Sequence, residues 1–248
     1  MPDIPTSNLS SPDPTASEQD IAAFMNDWLN RLKSESTRNQ LQLVQQIAQL
    51  GDVGLEALMS FLLERQSSPT GLIDGKVYQI LLVANTSETK DFLHRHFPQG
   101  VVLLRSERNI DYALLQTLLV QQDFEAADRL TLEKLCELVG TPALQRKWLY
   151  FSEVEQFPAI DLQTINTLWL VYSEGRFGYS VQREIWLSLG RDWDKLWTQI
   201  GWKSGNNWTR YPQEFTWDLS APKGHLPLSN QLRGVRVINS LLSHSAWN

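Results

Sequence analysis

Asp161-Leu-Gln-Thr-Ile-Asn-Thr-Leu-Trp-Leu-Val-Tyr-Ser-Glu-Gly175 spaces Leu162, Ile165, Leu168 and Trp169 by three and four residues. That is the period of one helix face, whereas a strand would alternate apolar and polar positions. Asp161 reads as the N-cap and Gly175 as the stop. The same period extends outward in both directions. Upstream, Tyr112, Leu115, Leu118 and Leu119 form one helix, and Asp123 opens another through Ala126, Leu130 and Leu135 to Gly140. Downstream, Ser180–Leu189 and Asp192–Ile200 follow, and Asn230 caps a last helix carrying Leu232, Val235, Ile238 and Leu242. Nearer the N-terminus Phe24, Trp28 and Leu32 share a face, as do Leu41, Val44, Ile47 and Leu50, then Leu55, Leu58 and Leu62, then Val77, Ile80, Leu81 and Ala84. Alternating patterns are nearly absent, so the predicted fold class is all-α.

Residues 1–16, rich in Pro, Ser and Asp, read as a disordered tail with neither a signal nor a transit peptide, which predicts a cytoplasmic protein. Short helices over 17–97 predict an N-terminal bundle of HEAT-like pairs. Pro98 and Gly100 break the periodicity, making 98–109 a linker to a second helical unit over 110–248. Within that unit, 201–229 has no clear period yet holds Trp202, Trp208, Tyr211, Phe215 and Trp217. A segment so long and so aromatic is predicted to be an ordered functional loop, forming one wall of a binding cleft.

A net charge of −6 over 248 residues argues against a nucleic-acid binder that works by neutralising phosphates. From residue 201 onward, however, five basic side chains face two acidic ones, which suits an anionic ligand. The single cysteine, Cys136, rules out an internal disulfide and reads as a small core residue. No apolar run approaches the roughly 20 residues of a membrane span. Nucleotide-binding, metalloprotease and serine-hydrolase motifs are absent, and His94 and His96 point to different helix faces. The predicted chain is therefore not an enzyme, and no metal site or obligate cofactor is expected.

Lys203, Arg210, Lys223 and Arg233 interleave with Trp202, Trp208, Tyr211, Phe215 and Trp217. Aromatic faces beside guanidinium groups are what a flat apolar ligand bearing carboxylates requires. The alternative is that the loop packs on itself as a minicore. In Gly175-Arg-Phe-Gly178 the two glycines permit a sharp turn between helices, and Phe177 and Tyr179 either staple those helices or line the mouth of the cleft.

The runs Phe151 to Trp169, Gly-Arg-Phe-Gly-Tyr-Ser-Val-Gln182, Ile200-Gly-Trp-Lys203 and Gln231-Leu-Arg-Gly-Val-Arg236 together resemble the genomes-uncoupled-four family over roughly residues 110–248. The helical N-terminal part is similar to that of cyanobacterial members. The resemblance implies a non-catalytic all-helical core that binds protoporphyrin IX and Mg-protoporphyrin IX. It also implies stimulation of magnesium chelatase through its large porphyrin-binding subunit, with peripheral association at photosynthetic membranes. By motif position it nominates Asn230 and Arg233 as polar contacts, with Arg233 on a propionate, and Tyr211, Phe215 and Trp217 as the greasy wall. Trp208, Arg210 and Phe177 complete the candidate site. His225 reads as a solvated loop imidazole rather than an axial ligand. The competing reading is a helical interaction module that binds a peptide or protein partner without pigment.

Overall fold

The computed structural model describes residues 27–229 and 234–247. Helix α1 spans 27–34 of these. It is followed by α2 (Thr37–Ala48), α3 (Asp52–Glu64), α4 (Leu72–Ala84), α5 (Ser87–His96), α6 (Ala113–Val120) and α7 (Phe124–Val139). Then come α8 (Thr141–Arg146), α9 (Phe151–Val154), α10 (Ala159–Tyr172), α11 (Tyr179–Ser188), α12 (Trp193–Gln199) and α13 (Arg236–Leu242). The sheet among the described residues is one two-residue hairpin, β1 (Lys203–Ser204) against β2 (Asn207–Trp208), antiparallel with Lys203 opposite Trp208. The fold is all-α, as the periodicity predicts.

Apolar side chains gather in two clusters. Trp28, Leu32, Val44, Ile47, Leu58, Leu62, Val77 and Leu81 fill the first, between α1 and α5. The second surrounds α10, whose Leu162, Ile165, Leu168, Trp169, Val171 and Tyr172 are all buried. A helix apolar on every side belongs at the centre of its core.

Helix α4 serves both clusters. Ile73, Val77 and Leu81, at i, i+4 and i+8, face the first, while Gly75 and Gln79 meet α10. Gly75 approaches so closely that an added Cβ would stand 2.3 Å from Val171 Cγ1 and 2.7 Å from the Val171 carbonyl oxygen. One turn on, the Gln79 amide nitrogen donates to the carbonyls of Val120 (3.1 Å) and Tyr172 (3.3 Å), and Lys76 pairs with Glu174 at 2.6 Å. Glycine at the crossing brings the backbones together, and the flanking polar contacts fix the register.

The segment predicted as a linker is bonded tightly to α10. Asp161 is not the N-cap of that helix: Pro158 holds the cap position, and Asp161 lies three residues inside, fully buried. Its carboxylate accepts from the Ser106 hydroxyl, the Glu107 N–H (3.0 Å) and the Tyr112 hydroxyl (2.8 Å). Burial and this carboxylate push the Tyr112 phenol far above its usual value. Asp123 and Asp192 do cap α7 and α12, accepting from the Ala126 and Lys195 N–H groups. Gly178 stands at the cap position of α11, so that helix starts at Tyr179, one residue before the predicted Ser180. The expected cap Asn230 lies outside the described residues.

Candidate functional site

The 201–229 segment is irregular but heavily bonded to the helices. Trp186, Trp193, Trp197 and Trp202 stack in succession, with ring centroids 4.6, 5.3 and 5.3 Å apart. Trp202 is fully buried, and its indole N–H donates to the His225 carbonyl at 2.7 Å. Gln182 on α11 donates to the Gly224 and Pro227 carbonyls at 3.0 and 2.8 Å. The Gly178 N–H donates to Leu226 at 2.9 Å, and Arg176 reaches the Ala221 carbonyl. The turn between α10 and α11 thus holds the loop's far end.

His225 is buried, contrary to its reading as a solvated imidazole. Nδ1 lies 2.6 Å from the Ile200 carbonyl, which can only accept, so Nδ1 carries the proton and Nε2 accepts from the Thr216 N–H at 3.3 Å. A neutral ring satisfied on both nitrogens ties the two ends of the loop together. Burial holds its pKa below the ordinary 6.5, against the opposing Ile200 bond. His244 is lowered too, again by burial.

A cavity of about 980 Å³ opens between α7 and this loop. On one side stand Asp128, Leu132 and Cys136, one turn apart on α7, flanked by Arg129 and Glu133. Trp208, Thr209, Arg210 and Tyr211 face them, and Leu144, Lys147, Leu228 and Ser229 complete the lining. Of the predicted site residues, Trp208, Arg210 and Tyr211 therefore meet on one wall. Phe215 is buried behind it, in ring contact with Tyr211 and His225 at 6.2 and 5.1 Å, and Trp217 is half-buried beside Tyr211 with its N–H on the Pro212 carbonyl. Phe177 is not on the cavity: it is fully buried, edge-on to Phe124 at 5.3 Å in the core. Asn230 and Arg233 lie outside the described residues, directly after the lining residue Ser229.

Sequence reasoning missed the α7 side of the cavity, Asp128, Arg129, Leu132 and Cys136, and of these Asp128 is the buried charged one. It shares the core face of α7 with Phe124, Thr131 and Leu135, and an acidic residue in that register is the signal that marks it. Its Oδ1 accepts from the Leu228 N–H at 2.6 Å, pinning the loop's end to the helix. Burial pushes the carboxyl up to about 7, although that N–H and Arg129 oppose the shift.

These groups set opposite pH responses. His225 and His244, lowered when folded, contribute stability that is present above about pH 6.5 and lost as pH falls below it. Asp128, raised when folded, contributes stability present below about pH 4 and lost as pH rises through about 7. In Asp128→Asn the second response is removed. Its melting temperature should therefore fall more steeply than the wild type's between pH 6.5 and 4.5, measured by circular dichroism. Parallel curves would show that Asp128 does not titrate in this range.

Residues 105–245 match the GUN4-like family, and residues 16–98 match the ARM-like repeat domain of the GUN4 N-terminus. The chain belongs to the GUN4-like family. It is 49% identical over 229 residues to the Ycf53-like protein of Synechocystis sp., covering 90% of this chain and 98% of that one. It is 39% identical over 145 residues, 55% of each chain, to a protein of Arabidopsis thaliana named tetrapyrrole-binding protein, chloroplastic. The structure of GUN4 from Chlamydomonas reinhardtii superposes with a TM-score of 0.56 at 38% identity, over 59% of this chain and 96% of that one. Among the described residues of this GUN4-like protein, no helix is long and apolar enough to cross a membrane, and no group of three or more His, Cys, Asp or Glu is placed to hold a metal.

Proposed function

We infer that the chain binds protoporphyrin IX and Mg-protoporphyrin IX in the cavity between α7 and the 201–229 loop. Through that binding it stimulates magnesium chelatase at its large subunit, without catalysing a step itself, while soluble in the cytoplasm or held at the photosynthetic membrane surface. The carrying observation is the cavity's make-up: indole and phenol rings at Trp208 and Tyr211 opposite the aliphatic and thiol groups of Leu132 and Cys136, with Arg129, Lys147 and Arg210 around them. A volume of about 980 Å³ lies at the upper end of ligand pockets, about 300–1,000 Å³. Apolar faces take up the macrocycle, and the cations pair with its carboxylates. The name of the Arabidopsis relative supports the same ligand class. Arg233 is assigned to a propionate by its motif position.

Titration with either pigment is expected to shift the Soret band and quench tryptophan fluorescence at micromolar concentration, since Trp208 stands in the wall. Leu132→Trp, which fills the cavity from α7, should abolish both signals and the chelatase stimulation while leaving the melting temperature within a few degrees. Arg233→Ala should weaken binding roughly tenfold to a hundredfold, the value of a charge-assisted hydrogen bond. An unchanged affinity in Leu132→Trp would place the pigment elsewhere.

A further inference from the structure

Asp128 is a carboxyl group on an apolar cavity wall. Among the described residues its hydrogen bond comes from the Leu228 backbone, and the neighbouring Arg129 turns instead toward Glu125, 3.6 Å away. From its own helix, Glu125 and Arg129 act on it with opposite signs. From α11 it is met by Tyr179, whose fully buried hydroxyl has no hydrogen-bond partner among the described residues, and from the loop by Tyr211. Both phenols are raised, chiefly by burial, and so are neutral here. Among the described residues Asp128 thus forms no ion pair.

A ligand laid on this wall acts on Asp128 in two ways. An apolar disc removes the water remaining on the cavity side, and desolvation disfavours the charged carboxylate. Carboxylates on the ligand add negative charge to the same enclosure, which disfavours it again. The neutral acid keeps an oxygen for the Leu228 N–H and gains a proton to donate.

We propose that Asp128 carries a proton in the filled cavity, so that a carboxylated tetrapyrrole and one proton bind together. The inference rests on the cavity's reading as a tetrapyrrole site. Burial already raises the carboxyl to about 7 in the free protein, so the uptake falls at and above neutral pH. Pigment binding weakens as the medium becomes alkaline, and a rise in pH promotes release.

The test is protoporphyrin IX affinity at pH 6.5, 7.5 and 8.5 for the full chain and for Asp128→Asn, whose amide oxygen still accepts from Leu228. The wild type should weaken roughly 25-fold across this range, approaching tenfold per pH unit at its upper end. The variant should stay within about twofold. Calorimetry of the wild type at pH 8 in phosphate and in Tris, which needs no variant, should show uptake of roughly one proton per pigment. Equal pH slopes in both proteins, or no proton uptake, overturns the inference while leaving the pigment site standing. No binding by the wild type at any pH overturns the site itself, and the inference with it.

Discussion

Trp202→Ala is expected to lower stability by about 3–5 kcal/mol and to abolish porphyrin binding. Removing a buried aromatic side chain forfeits its transfer free energy and leaves a void that the surroundings only partly fill. Here the void opens beneath the cavity wall. Trp202 stacks on Trp197 at 5.3 Å with an interplanar angle of 6°, and its N–H satisfies the His225 carbonyl. Its backbone carbonyl receives the Thr209 N–H at 3.0 Å, next to Trp208 and Arg210. Losing the indole therefore loosens both the stack and the turn that presents the wall. Urea denaturation and fluorescence titration read the two effects separately. Trp202→Phe keeps most of the packing and loses one hydrogen bond, so it should retain most of the stability at a loss of about 1–3 kcal/mol. Unchanged stability in Trp202→Ala would mean that the loop is not anchored through this indole.

The second large effect is Gly75→Ala, where two physical terms compete with opposite signs. Glycine inside a helix is less favourable than alanine by about 1 kcal/mol, so propensity alone predicts stabilisation. Against that, the new Cβ would stand 2.7 Å from a carbonyl oxygen and 2.3 Å from a methyl carbon, about an ångström inside normal contact. Overpacking typically costs about 1–3 kcal/mol, more where backbone must move, and here the obstacle is partly the Val171 backbone. The clash should win, with a net loss of about 2 kcal/mol in chemical denaturation. Helix α4 must also back away from α10, which strains the Gln79 bonds and the Lys76 pair with Glu174. A more stable variant would show that the crossing is loose.

The helical elements are legible because core burial imprints a 3.6-residue period, and α10, buried on all sides, carries it most densely. The N-caps at Asp123 and Asp192 are legible because capping is local. Asp161 misleads by the same rule. Its carboxylate serves Ser106, Glu107 and Tyr112, some fifty residues away, and no local pattern encodes that distance. Helices α8 and α9, of six and four residues, are too short to display a period. The loop's role follows from its ring content, yet which rings face the cavity does not. Trp208 and Tyr211 fall on the wall and Phe215 and Trp217 behind or beside it, according to turns that have no period. Phe177 follows the core because its turn is drawn inward by Ser173, whose hydroxyl accepts from the Phe177 N–H at 2.9 Å. Gly75 is visible only once its partner Val171 is in place, roughly one hundred residues away, whereas an acid on the core face of α7 marks Asp128 in the sequence and only its partner Leu228 stays hidden.

The most direct measurement is a crystal structure of the full chain grown with protoporphyrin IX. The disc should lie between Leu132 and Cys136 on α7 and the 208–211 wall, its carboxylates toward cations lining that cavity. Density for the pigment elsewhere, such as the groove that α4 forms with the turn between α6 and α7, with solvent between α7 and the loop, would contradict it.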